Sequence, residues 1–427
     1  MKTTTQKTTM THKLANLPLT LATLTLALAL APANARAQST APAPAPLTVE
    51  QRLAKLEAAS AASAASPASP ASNPLAVKPG ASEQYISIGG FIQGQAEFGD
   101  ALDTRFTSST PPASNNRIYL RRARIILGGK FAENFEFKLA AEMSNGGYAG
   151  STAMRGQLID GYLTWTKYPF LNITAGQFKT PFGYEFLLAD SAGPVIEHTF
   201  VTDALMAARQ DGIGANGAFL DSRLTYSVGV YNGNGMNNNV NDNKEFLYAA
   251  RVAFAPVKTK IASLDWNIRW SIGANAYRSN DATLALPGGV TAPKPGFGRR
   301  TGWAADTQLI LGPMAFNFEY ISTDYVFTRT VPTATKLTAA GWYLQAVYDL
   351  TKKWQAAIRY DTFNPDTSLD NSATNTWTLG VNWRLKGDDL KFMLEYLMGD
   401  PSFNAGANIF QSTGRANRVM MRVQTIF

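Results

Sequence analysis

From about residue 84 to the last residue, the chain keeps returning to short runs in which apolar side chains alternate with polar ones. Trp266, Ile268, Trp270, Ile272, Ala274 and Ala276 interleave with Asn267, Arg269, Ser271, Gly273 and Asn275. Trp377, Leu379, Val381, Trp383 and Leu385 interleave with Thr378, Gly380, Asn382 and Arg384. Successive side chains of a strand point to opposite faces, so each run predicts a strand with one apolar and one wetted face. The runs are about ten residues long, carry aromatics at their ends, and continue to a terminal Phe427. That pattern predicts an all-β, transmembrane antiparallel β-barrel with lipid outside and water inside.

Sixteen such segments can be counted, the first at 84–98, the eighth at 245–254 and the last at 416–427. Their connections alternate between short ones, such as Ala132-Glu133 and Gly312-Pro313, and long ones, such as 99–115, 179–211 and 399–415. The asymmetry predicts tight periplasmic turns, longer external loops and both termini on one side. The 179–211 stretch is the longest and contains Phe186, Leu187, Pro194, Val195 and Ile196. A loop this long and apolar is uncommon on a surface, so it is predicted to fold into the lumen and narrow the pore.

Phase opposite to the lipid-facing aromatics puts Arg122, Arg124, Lys138, Arg251, Arg269, Arg359, Arg384, Arg418 and Arg422 on the inner face. Glu97, Asp160, Glu319 and Asp361 share that face, so basic groups outnumber acidic ones. The phase assignment carries weight because a charge on the lipid face near the midplane costs roughly 2–4 kcal/mol. Arg121 is out of step with Arg122 and Arg124, which predicts either a side chain snorkelling at the interface or a bulge.

Composition narrows the reading. Hydrophobic residues make up 45% of the chain, yet its mean hydropathy is −0.13. No stretch beyond the N-terminus is apolar enough for a transmembrane helix. Without cysteine, thiol catalysis and iron–sulfur chemistry are excluded. Residues 1–37 read as a secretory signal peptide: Lys2, Lys7 and Lys13, an apolar Leu14 to Ala31, then Ala35-Arg36-Ala37. Their removal takes the formal charge from +8 to +4, a mild excess that does not point to nucleic acid. In 38–59, Val49, Leu53 and Leu56 are spaced as a short heptad seam, either a coiled-coil helix or a solvated amphipathic tail. Residues 60–83, rich in Ala, Ser and Pro, read as a linker to the barrel domain at 84–427.

In this order, several motifs resemble the phosphate-selective porin O and P family of outer-membrane channels. They are Arg121-Arg122-Ala123-Arg124, Gly176-Gln177-Phe178-Lys179-Thr180-Pro181-Phe182-Gly183 and Arg209-Gln210-Asp211-Gly212. Tyr231-Asn232-Gly233-Asn234-Gly235, Arg359-Tyr360-Asp361 and the closing Arg422-Val423-Gln424-Thr425-Ile426-Phe427 complete the set. The resemblance implies a sixteen-stranded homotrimeric porin in the bacterial outer membrane, with loop 179–211 inside and Phe427 read by the barrel-assembly machinery. It also implies phosphate selection by a column of arginines plus a constriction lysine. Here no Arg-x-Arg-x-Arg run occurs in or after the long loop; Arg122 and Arg124 partly resemble the column, and Lys179 is the candidate lysine. Strict alternation from Ile173 points Lys179 outward, so an inward placement requires a bulge near Gly176 or a strand end. The expectation is therefore an anion-preferring, water-filled channel for small anions, phosphate and polyphosphate among them.

An enzyme reading lacks parts. His12 leaves with the signal peptide, so His198 alone could act as a general base, and no context marks a nucleophilic serine. One histidine without cysteine gives no zinc site, and Asp366 with Asp370, or Asn237 to Asp242, reads as turns more readily than as calcium loops. No cofactor is expected. The alternative function is structural: a barrel tethering the envelope through its N-terminal segment, with only trivial conductance.

Overall fold

The computed structural model describes residues 84–99, 116–145, 156–238, 240–282, 298–327, 336–369, 373–404 and 409–427; for 400–404 and 409–416 it describes backbone only. The expected signal peptide (1–37), helical segment (38–59) and linker (60–83) lie outside these residues. The first half of the barrel comprises β1 (Tyr85–Gly99), β2 (Arg117–Phe131), β3 (Phe135–Glu142) and β4 (Gln157–Tyr168). It continues through β5 (Leu171–Lys179), β6 (Arg209–Phe219), β7 (Leu224–Tyr231) and β8 (Leu247–Ile261). The second half comprises β9 (Trp266–Asp281), β10 (Gly298–Leu311), β11 (Met314–Phe327) and β12 (Lys336–Asp349). It ends with β13 (Trp354–Asn364), β14 (Thr374–Asp388), β15 (Leu390–Asn404) and β16 (Ile409–Ile426). Each strand pairs antiparallel with its sequence neighbours, and β1 pairs with β16, closing a sixteen-stranded barrel. Closure removes every sheet edge, which a hydrocarbon environment requires. The last residue completes it: the Phe427 N–H donates to the Gly90 carbonyl at 3.0 Å, and the Gly90 N–H returns to the Phe427 carbonyl at 2.9 Å.

Alternation along the strands sorts the two faces. On β14, Trp377, Leu379, Val381 and Trp383 are exposed while Thr376, Thr378 and Asn382 are buried. On β1, Ile92 and Phe98 are exposed while Gln93, Gln95 and Glu97 are buried. This is a fold with polar groups inside and an oily exterior. Outward aromatics collect near both ends. Trp303, Tyr320, Trp342, Tyr360 and Trp377 form a row on β10–β14, with ring separations of 5.1 Å (Trp303–Tyr320) and 4.8 Å (Tyr360–Trp377). Near the short turns, Trp354, Trp383 and Phe392 form a second row, spaced 5.8 and 5.6 Å. These are the aromatic girdles of a membrane barrel.

Two expectations need correction, and a third was open between two placements. β8 does not stop at Phe254 but runs to Ile261, because Pro256 sits in a bulge where the register steps from Phe254 to Val257 and its missing N–H breaks no ladder bond. The 399–415 connection is mostly hairpin: β15 and β16 stay paired out to Asn404 and Ile409. Pairing beyond the hydrocarbon needs no apolar face, so alternation does not mark it. Of the two placements expected for Arg121, the bulge holds and the lipid interface does not. Arg121 is the extra residue of a bulge where Gln93 faces Arg122 but Gly94 faces Leu120, and the bulge turns its side chain inward.

Candidate functional site: the loop across the lumen

Between β5 and β6 the chain turns inward through Thr180-Pro181-Phe182-Gly183. Gly183 has φ 83°, a left-handed conformation that glycine adopts without strain. Two short helices follow, α1 (Tyr184–Leu187) and α2 (Phe200–Leu205). The N–H groups of Tyr184 and Glu185, unpaired at the start of α1, donate to the Glu319 carboxylate of β11 at 2.6 and 3.1 Å. Thr199 caps α2 by accepting from the Thr202 N–H at 3.2 Å, and Glu185 in turn accepts from the Thr199 N–H and hydroxyl. Phe182, Phe200, Val201 and Leu205 are buried against Tyr231, Tyr277, Ile321, Tyr343 and Phe363 of the inner wall. Apolar residues that look misplaced in an external loop therefore have a core inside the barrel.

From there the loop crosses the lumen and is held by the opposite wall. The Ile196 N–H donates to Glu395 of β15 at 2.5 Å, and Asn382 of β14 donates to the Pro194 carbonyl at 2.7 Å. Lys391 of β15 donates to the carbonyls of Ser191 and Gly193 at 2.8 and 3.0 Å. Gln93 of β1 reaches the Asp190 carbonyl and Arg359 of β13 the Glu197 carbonyl. Backbone groups stripped of water are thus paired with wall side chains rather than left orphaned.

Two carboxylates of the loop meet a cluster of guanidiniums on β2 and β16. Glu197 lies 2.8 Å from Arg121, 3.5 Å from Arg122 and 2.5 Å from Arg422. Asp190 pairs with Arg124 and stands 4.0 Å from Arg122, while Glu142 takes Arg124 from the other side at 2.9 Å. Burial alone would raise the Glu197 and Asp190 pKa values. The surrounding guanidiniums outweigh it, Arg121 and Arg422 for Glu197 and Arg124 and Arg122 for Asp190, holding both well below the usual carboxylate range. His198 sits between two acids, Nδ1 3.2 Å from Asp203 and Nε2 3.8 Å from Asp190. Burial opposes its charged form, but the bond to Asp203 and the nearby carboxylates prevail and raise its pKa. Beneath the loop, Arg122, Asp190, Glu197, His198, Tyr343 and Gln345 line a cavity of about 30 Å³.

The structure scatters the remaining candidates. Lys179 is the last residue of β5, three positions after Gly176 (φ 125°), and its ammonium turns inward to the carbonyls of Phe186 and Leu188 at 2.5 and 2.7 Å. Strict alternation would have sent it to lipid. Lys138 shares Asp160 with Arg209, at 3.0 and 2.8 Å. Arg251 is bidentate on Asp306, Arg359 lies 3.4 Å from both Glu185 and Asp361, and Arg384 is 2.7 Å from Asp349. Arg418 is buried in the wall, and Arg269 makes no ion pair among the described residues. Arg122, Arg124 and Arg422 therefore come together beside the loop, with Lys179 near them and Arg359 on the Glu197 carbonyl, while the other five are spread around the barrel. Sequence reasoning missed Arg121, Glu142, Asp190 and Glu197. Acidic residues inside an otherwise apolar long loop were the available signal for the last two.

The model of the phosphate-selective porin O and P family matches residues 95–427. Solved structures with the same fold include the outer membrane channel DcaP of Acinetobacter baumannii, at 15% identity and TM-score 0.54, covering 83% of this chain and 100% of that one. A complex of Salmonella typhi OmpF with daunomycin aligns at 12% identity and TM-score 0.53, covering 81% and 98%. The trimer form of in-vitro folded OmpT, an outer membrane protein of Vibrio cholerae, aligns at 10% and 0.52, covering 81% and 100%. No curated relative matches the chain. A closed barrel with an oily exterior, a wetted bore and a loop latched across it, matched over most of its length by one family model, is a porin channel of the bacterial outer membrane, and the chain belongs to the phosphate-selective porin O and P family.

Proposed function

We propose that the protein is a homotrimeric, water-filled diffusion channel with a modest preference for small anions, phosphate among them, and without a dedicated phosphate site. One observation carries the preference. Beside the loop, Arg121, Arg122, Arg124, Arg422 and Lys179 are five cations, and among the described residues the carboxylates paired with them are three: Glu142, Asp190 and Glu197. A local excess of positive charge in a confined bore raises the concentration of anions there. The same contacts argue for a mild effect, since a phosphate would have to compete with carboxylates that already occupy the guanidinium forks. The trimer form of OmpT supports the oligomer by analogy of fold. Phe427 closes the barrel and is half exposed at its end, a placement compatible with recognition by the assembly machinery.

Single-channel recording in chloride, followed by added phosphate and polyphosphate, tests this reading. Reversal potentials should favour anions slightly, with no block at low phosphate. Cation preference, or tight phosphate block, would overturn it. Lys179→Glu should reduce anion preference more than Arg418→Glu, because Lys179 binds uncharged carbonyls beside the cluster whereas Arg418 is buried in the wall.

A further inference from the structure

On the lipid-facing side of β5–β10 the outer wall is hollow. The outward residues Ala215, Ala250 and Ala276 are small, and with Ile213, Val228 and Val230 they bound an apolar groove of about 750 Å³. Cross-strand pairing places Ala250 beside Ala276, and Ala276 beside Trp303 of the upper aromatic row. One residue pair further towards the long connections, Tyr248 pairs with Arg278 and Arg278 with Thr301; Arg278 and Thr301 also border the groove. Both Tyr248 and Arg278 are exposed. Arg278 thus projects from the outer wall just external to the aromatic girdle, at head-group level, and makes no ion pair among the described residues.

We propose that this groove binds a phosphorylated lipid of the outer leaflet, an acyl chain lying over Ala215, Ala250 and Ala276 and a head-group phosphate on the Arg278 guanidinium. The groove lies open along the outer wall, and its lining is continuous with the hydrocarbon-facing belt. The planar guanidinium matches phosphate geometry, and a cation at this depth gains most from an anionic head group. A second copy of the chain is the poorer occupant, because packing a protein wall here would bury Arg278 without a counter-charge.

Native mass spectrometry of the purified full chain tests the site with three probes: a bis-phosphorylated multi-acyl glycolipid, its dephosphorylated counterpart and inorganic phosphate. The wild type should bind the phosphorylated lipid about tenfold more tightly than the dephosphorylated one, a difference of about 1.4 kcal/mol. Arg278→Ala should abolish that difference while leaving conductance unchanged. Ala250→Trp, which fills the groove, should weaken both lipids. Inorganic phosphate should not compete, since it lacks the chain. Undiminished discrimination in Arg278→Ala, competition by inorganic phosphate, or loss of the oligomer rather than of lipid in Ala250→Trp would each overturn the proposal.

Discussion

Glu197 is the residue on which the lumen's electrostatics turn, because three guanidiniums from two strands converge on its one carboxylate. Glu197→Gln leaves Arg121, Arg122 and Arg422 facing one another across a buried space. Removing one partner of a buried pair costs about 3–5 kcal/mol. The variant should therefore lose heat resistance, while its reversal potential shifts further towards anions; an unchanged potential would show that ions pass elsewhere. The pH dependence follows from the same groups. Asp190 and Glu197 have folded pKa values below their unfolded ones, so their stabilisation is present above the unfolded value and lost as pH falls through the folded one. His198 is raised, so its contribution is complete below its unfolded value and fades as pH rises through the folded one. Melting temperature should accordingly show a plateau between about pH 5 and about pH 6.5, a slight decline above it and a steep loss below about pH 4. A decline already beginning at pH 6 on the acid side would contradict this assignment. Among these residues Arg122, Arg124 and Arg422 were legible from period-two phase. For Arg121 the break in phase was legible, but not which of its two explanations applied, because a bulge and an interfacial side chain leave the same mark in residue type.

At the level of elements, the latch is a loop with its own core. Leu205, almost fully buried on α2, anchors it against the inner wall. Leu205→Ala should cost about 2–5 kcal/mol in latch stability and make single-channel current noisier, whereas an equally quiet channel would place the anchor elsewhere. Gly176 governs how the loop departs. A Cβ there would stand 2.2 Å from the Gly161 carbonyl oxygen, at a φ that side chains rarely adopt. Gly176→Val should therefore disturb the β4–β5 pairing and withdraw Lys179 from its carbonyl contacts, lowering anion preference in the same direction as Lys179→Glu. The strand count and the inward destination of the loop were both readable, one from alternation and the other from apolar residues with no surface use. The ends of β8, β15 and β16 were not, since a proline can occupy a bulge and a hairpin above the membrane needs no alternation.

For the whole molecule, the ladder from Phe91↔Ile426 to Gly99↔Arg418 turns a sheet into a channel, and the terminal Phe427 finishes it. Deleting Phe427 removes two backbone hydrogen bonds and one aromatic from the lower girdle. Folded barrel recovered from membranes should fall, as measured by the fraction of heat-modifiable protein, while correctly folded molecules keep their conductance. What the sequence by itself determined was the two-sidedness of the wall: alternation with aromatic ends specifies strand, phase and solvent without reference to any partner, because each strand carries its own lipid face and its own water face. What only the tertiary structure decided was which charges survive to act on ions. Arg251, Arg359 and Arg384 were placed inward by phase, but their neutralisation by Asp306, by Glu185 and Asp361, and by Asp349 depends on register across strands and on where one long loop comes to rest. Except for Arg359 with Asp361, two residues apart on one strand, these pairings join residues far apart in the chain, and no local pattern encodes them.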